Sequence, residues 1–186
     1  MRTLFRNLWL ANGSGSPLRR SAVLVDGERI LAVEPEITAS AADRTVELRG
    51  RILSPGFIDV HGHSDLALAA RPEGFGKISQ GISCEIMGNC GLSAFPLSPE
   101  NREHLGELWA QYETALDWED FSGWRAALRS RGVRLRPEAL VGHNTLRAAV
   151  AGYADETLSP GQLEEMKRLL ARELAAGALG LSTGLL

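Results

Sequence analysis

The sequence predicts an α/β chain: a small β unit over residues 1–53, then the first half of a (β/α)8 barrel over residues 54–186. Three observations predict it. Short apolar runs punctuated by turn residues fill the N-terminal part. Beyond Gly50, strand-like and helix-like segments alternate, the pattern of βα units on a parallel sheet. An apolar strand then runs straight into a His-x-His pair at its C-terminal end, the end at which barrels carry their chemistry.

The elements follow in chain order. Residues 4–10 are apolar and aromatic, and Asn12-Gly13-Ser14-Gly15-Ser16-Pro17 breaks the run. Residues 21–25 form a second strand, Asp26-Gly27 a hairpin turn, and residues 29–33 the returning partner. Residues 45–48 are a further short strand. This unit has too little apolar mass to be stable alone and needs a partner. Residues 51–60 read as an apolar strand interrupted at Ser54-Pro55-Gly56, 72–80 as a short helix, and 82–87 as the second barrel strand. Residues 100–114 place Leu105, Leu108, Trp109 and Tyr112 at helical spacing, and 121–130 do the same with Phe121, Trp124, Ala127 and Leu128. Residues 138–142 form the third strand. The helix over 159–175 has Ser159 as N-cap, Pro160 at its first position, and Leu163, Met166, Leu169, Leu170 and Leu174 as its apolar face. Gly177 ends it, and residues 178–182 begin a fourth strand. A closed barrel takes about 250 residues, so the part beyond residue 53 suffices for roughly four of eight units. The last residues, Gly180 to Leu186, carry neither cap nor polar tail, and the chain is read as truncated.

Composition narrows the function classes. A chain of 186 residues, 44% hydrophobic with net charge −3, has an ordinary globular balance, and no basic excess points to nucleic acid. The start lacks the charged and apolar regions of a secretory signal, and no apolar run reaches the ~18 residues of a membrane span. Two cysteines, Cys84 and Cys90, do not make a disulfide framework. A reducing cytoplasm is the expected compartment. The five arginines between Arg125 and Arg136 lack aromatic interleaving and read as a solvated helix face.

The chemistry concentrates in Ser54-Pro55-Gly56-Phe57-Ile58-Asp59-Val60-His61-Gly62-His63. Residues i and i+2 of a strand point the same way, so His61 and His63 can present both imidazoles to one point. Imidazole is the commonest metal ligand near neutral pH. The plainer alternative is two unrelated surface or core histidines. Cys90 also reads two ways. A free cysteine usually packs as a small apolar group, but Gly88 and Gly91 allow a sharp turn that turns a thiolate toward the barrel mouth, and zinc accepts thiolate and imidazole together. Cys84 lies on the strand and reads as core. His143, after the third strand, either lines the substrate pocket or is a loop histidine bonded to backbone. Asp65 either caps its loop or accepts from a ligand histidine. His104 reads as solvated, and Trp109, Tyr112, Trp118 and Trp124 as packing.

The stretch from Pro55 to His63 resembles the first barrel strand of the amidohydrolase superfamily. Lys77-Ile78-Ser79-Gln80-Gly81-Ile82-Ser83 followed by Gly88-Asn89-Cys90-Gly91 resembles its N-acyl-D-amino-acid deacylase (D-aminoacylase) branch, as do residues 138–152 and 177–185. The resemblance implies a metal-dependent hydrolase barrel preceded by a small β-sandwich domain that C-terminal strands complete. It implies His61, His63 and Cys90 as ligands of one or two Zn2+ ions. It further implies cleavage of the amide bond of a small-molecule N-acyl-D-amino acid to a carboxylate and a D-amino acid, the metal activating water and an aspartate moving its proton. That aspartate and two further ligand histidines belong to a missing C-terminal half, since no histidine follows His143, so no catalytic acid/base is expected in this chain. Alone, the chain is expected to be inactive, to bind zinc weakly and to be poorly soluble at its open strand edges. Two rivals stand beside this reading. One is a dihydroorotase- or hydantoinase-like cyclic amidase, which usually bridges its metals with a carbamylated lysine that the fourth strand here does not offer. The other is a non-catalytic remnant that folds only with a partner chain.

Overall fold

The computed structural model describes residues 1–153 and 157–184. It divides into two compact units, Met1–Pro55 and Gly56–Leu186. Leu185 and Leu186, the last residues of the expected fourth-strand segment, lie outside the described residues.

The first unit is one five-stranded sheet. Its strands are β1 (Arg2–Leu10), β2 (Arg19–Asp26), β3 (Arg29–Glu34), β4 (Arg44–Glu47) and β5 (Ile52–Leu53). The order is β3-β2-β1-β4, with β5 also on β1; the first three strands pair antiparallel, and β4 and β5 run parallel to β1. Strand alternation sorts the side chains. Leu4, Ala22 and Leu24 are buried on one face under Ile37, Ala41 and Ala42. Phe5, Val23, Val25 and Val33 point the other way and line an apolar groove of about 460 Å³. The expected strand across residues 51–60 is two strands in two units, because Pro55 offers no N–H to a ladder.

The second unit is built from parallel strands with helices between them. β6 (Phe57–Asp59) is followed by the short helices α1 (Ala67–Ala70) and α2 (Phe75–Ile78). β7 (Ile82–Met87) leads to α3 (Pro99–Leu108), a 3-10 turn at Ala110–Tyr112, and α4 (Phe121–Ser130). β8 (Arg136–Ala139) and β9 (Val141–Gly142) are nearly continuous and run into α5 (His143–Ala151), then α6 (Pro160–Ala175) and β10 (Leu181–Ser182). β6, β7 and β8 form one parallel ladder, β9 and β10 another. Leu140 joins them: its N–H donates to Met87 O at 2.9 Å, while the next N–H, of Val141, donates to Gly180 O at 2.8 Å. One stretch of chain thus serves both neighbours, and the strands follow one another in sequence order.

The helices close over a core centred on Phe95, Phe121 and Trp124, whose rings lie 5.4–5.9 Å apart. Buried indoles need an acceptor: Trp124 donates to Asp65 O at 3.1 Å and Trp118 to Ala94 O at 2.8 Å. Helix starts are capped by Ser98, Asp120 and Ser159, the first and last in reciprocal capping boxes with Asn101 and Gln162.

Three expectations are corrected. The buried face of α6 is Met166, Leu169 and Glu173, with Leu170 packed against the core beside them; Leu163 and Leu174 are exposed at 45% and 41%. Glu173 is stabilised there because it accepts from Phe121 N at 2.7 Å, completing the start of α4, and pairs with Arg172. Leu108 is exposed, the chain tightening into the 3-10 turn just beyond it. Residues 143–151 form a helix, so His143 is the first residue of α5 and not a loop residue.

Candidate metal centre

The chain leaves β6 at Asp59 and turns through His61, Gly62 and His63. Asp59 fixes the start of the turn: its Oδ1 accepts from His61 N at 3.2 Å, and Lys77 pairs with its other oxygen. The hydrogen bond from Lys77, then that from His61 N–H, holds the Asp59 carboxyl below its ordinary range. Lys77 also reaches Glu85 Oε1 at 3.4 Å.

Gly62 is held on three sides. Its N–H donates to Ile86 O at 3.1 Å, its carbonyl accepts from Asn89 Nδ2 at 3.1 Å, and the buried carboxylate of Glu85 lies where its Cβ would stand. The imidazoles on either side are exposed, with ring centroids 5.5 Å apart and planes at 64°.

Beyond β7 the Gly88-Asn89-Cys90-Gly91 turn holds Gly88, Cys90 and Gly91 at φ of 72°, 54° and 78°. A Cβ on Gly88 would overlap the backbone oxygen of Leu140, so only glycine fits there. This left-handed turn brings Cys90 Sγ to 3.4 Å from His61 Nε2. Donor atoms of His61, His63 and Cys90 all lie within 4.8 Å of one another. Donors at about 2.0–2.1 Å (nitrogen) and about 2.3 Å (sulfur) from a tetrahedral zinc ion sit roughly 3.3–3.6 Å apart. The Cys90–His61 separation falls in that range, and the mixed imidazole and thiolate set suits zinc rather than a hard cation such as magnesium.

The surroundings are carboxylate-rich. Asp65 is buried and bonded to neither histidine; among the described residues its Oδ1 has no hydrogen-bond partner. Burial, with the charge of Glu85 adding, pushes its carboxyl up to about 7. Ser182 Oγ braces the Cys90 turn from β10, accepting from Gly91 N at 3.1 Å and donating to Gly88 O.

Among the described residues, the other candidate residues supply no atom to this cluster. His143 sits with Nδ1 3.3 Å from Asn144 Oδ1 and is not among the three converging side chains. Cys84 is half-buried on β7, where burial and then Glu138 push its thiol up. His104 stacks on Tyr153 with centroids 3.8 Å apart. Trp118 and Trp124 are core, with Trp109 and Tyr112 packed against it. Arg125 and Arg136 pair with Glu138, and Arg131 with Asp117. Sequence reasoning passed over Glu85, for which a single sequence holds no signal, and met Ser182 only within the resemblance over residues 177–185. It noted Asn89 only as part of a motif. Among the described residues no helix is long and apolar enough to cross a membrane.

Comparison with known proteins agrees with this architecture. The model of an amidohydrolase family matches residues 44–185. The N-acyl-D-glutamate deacylase of Alcaligenes xylosoxydans xylosoxydans is 40% identical over 179 residues, covering 95% of this chain and 36% of the relative. The D-aminoacylase of the same organism is 35% identical, covering 94% and 36%. Among solved structures, the N-acyl-D-glutamate deacylase of Bordetella bronchiseptica, complexed with zinc and a phosphonate inhibitor, is 36% identical with a TM-score of 0.87, covering 98% of this chain and 38% of that one. A D-aminoacylase structure described as defining a novel subset of amidohydrolases gives a TM-score of 0.83 at 34% identity. The chain thus spans a little over a third of the length of the relatives it matches. With a parallel-barrel unit, a His-x-His turn at the end of its first strand and a family match across most of its length, the chain belongs to the amidohydrolase family.

Proposed function

We propose that this chain is the N-terminal portion of a zinc-dependent N-acyl-D-amino-acid deacylase, and that His61, His63 and Cys90 are its contribution to the metal centre. One observation carries the reading: two imidazoles and one thiol from successive strand ends converge within 4.8 Å. A bound zinc ion would supply Lewis acidity toward the amide carbonyl and toward water. The residues of this chain do the rest of what falls to it. Asp59, through His61 N–H, and Asn89, through the Gly62 carbonyl, orient the two rings. The left-handed turn at Cys90 aims the sulfur at the same point. His143 is proposed to line the substrate pocket from the start of α5. The general acid/base, the remaining ligands and the grip on the substrate carboxylate are assigned to a C-terminal portion, which would also pair with the exposed strand β6. The exposed Phe57 and Ile58 suit such a contact. A cytoplasmic location is proposed on the same footing, since a thiolate ligand is best kept reduced and both cysteines are free.

Cys90 also favours this reading over a cyclic amidase bridged by a carbamylated lysine. The test has two parts. The zinc content of the purified chain is measured with and without Cys90→Ser; unchanged content would remove the thiolate from the centre. The coding sequence beyond Leu186 is then read, and two spaced histidines and an aspartate are expected. The product of that longer frame should release a D-amino acid from N-acetyl-D-glutamate, N-acetyl-D-aspartate or N-acetyl-D-methionine, and the 186-residue chain alone should not.

A further inference from the structure

Asn89 stands next to Cys90 in sequence but spends its side chain on the other ligand turn. It is 6% exposed, and both hydrogens of its amide are engaged: Nδ2 donates to Gly62 O at 3.1 Å and to Ile86 O at 2.9 Å. Gly62 is the residue between the two histidines, and its own N–H donates to the same Ile86 oxygen at 3.1 Å. The four groups form a closed unit, in which the end of β7 holds the His-x-His peptide from both its N–H and its carbonyl. The main chain of Asn89 meanwhile shapes the cysteine turn, its carbonyl accepting from Leu92 N at 3.0 Å.

We propose that Asn89 is the positioning residue of the metal centre, a clamp that sets the distance between the His61/His63 turn and the Cys90 turn. The inference rests on the zinc-centre reading above and adds to it the residue that fixes ligand spacing. The chemistry requires an amide. Two carbonyl oxygens converge on one nitrogen, so the group facing them must offer two hydrogens and no charge of its own. A carboxylate of the same shape would set an acceptor against two acceptors in a buried place, and a shorter side chain would not span the gap. Neither change touches a ligand atom. Each loosens the geometry in which three ligands meet, and supporting partners of metal ligands commonly govern affinity by about 10–100-fold.

The test uses the 186-residue chain carried on a soluble fusion partner and titrated with Co2+, whose sulfur-to-metal charge-transfer band reports Cys90 and whose visible ligand-field bands report geometry. The wild-type chain is expected to show both. Asn89→Asp is expected to keep the charge-transfer band, bind about 10–100-fold more weakly, and show shifted ligand-field bands at saturation. A merely structural role would leave those saturated bands unmoved. Asn89→Ser, which shortens the reach without adding charge, is expected to behave the same way and serves if the aspartate variant does not fold by circular dichroism. Wild-type affinity and spectrum in a folded variant would overturn the clamp while leaving the zinc centre standing. A wild-type chain without the charge-transfer band would overturn both.

Discussion

Glu85 fills the space beside Gly62 that a side chain on that residue would occupy. The carboxylate belongs to the second barrel strand and the glycine to the turn after the first, so the His-x-His turn is seated on its neighbour through a missing methyl group. Gly62→Ala should therefore push the turn off β7. Metal affinity is expected to fall about tenfold or more, read by competition with a chromophoric chelator. The double variant Gly62→Ala/Glu85→Ala should recover part of that loss, and strict additivity would show that the two residues do not share the space.

The two cysteines should respond differently to zinc. Cys90 faces the histidines, whereas Cys84 sits on the strand with its thiol pushed up by burial. Saturating zinc is expected to slow alkylation of Cys90 by about tenfold or more and to leave the slower reaction of Cys84 unchanged, as followed by peptide mass spectrometry. Equal protection of both thiols would contradict the geometry.

Asp65 makes stability depend on pH. Its carboxyl rises from 3.8 to about 7 on folding, so the folded chain holds a proton that the unfolded chain has released. Its contribution is fully present below about pH 4 and is lost as pH rises through about 7, on the order of 4 kcal/mol across that window. In metal-free buffer, Asp65→Asn is expected to flatten the fall in unfolding free energy between those two pH values. A slope unaltered by the substitution would mean that Asp65 stays ionised in the fold.

Glu173→Leu should restore an apolar stripe to α6 and still destabilise the chain. It strands the buried Phe121 N–H, which Glu173 satisfies at 2.7 Å, and leaves Arg172 without its partner. The expected cost is about 1–3 kcal/mol in denaturant unfolding. A neutral or stabilising result would indicate that water takes over the bond.

Much of the fold was legible because local rules and tertiary packing agree along most of the chain. β7 and α4 run over the residues that the sequence marks for them, and Ser159 and Pro160 announce α6. The failures fall where the two disagree. α5 begins at His143, behind Gly142 as an N-cap with no side chain to offer, and buries Thr145, Leu146, Ala148 and Ala149, a stripe too weakly apolar to stand out. Glu173 looks like a solvent residue until the start of α4 is placed against it. At the site, His61, His63 and Cys90 could be singled out because ligand chemistry restricts residue type. Asn89, Glu85 and Ser182 could not, because their roles come from partners 27, 23 and 91 positions away along the chain, Gly62 for the first two and Gly91 for the third.

Ser182 stitches the cysteine turn to β10, and Leu140 passes the backbone ladder toward that same strand. During synthesis, then, the hydrogen bonds with Ser182 that brace the Cys90 turn can form only after more than ninety further residues have emerged. On the proposed zinc-centre reading, a cation captured earlier would meet a cysteine turn not yet braced from the fourth stave.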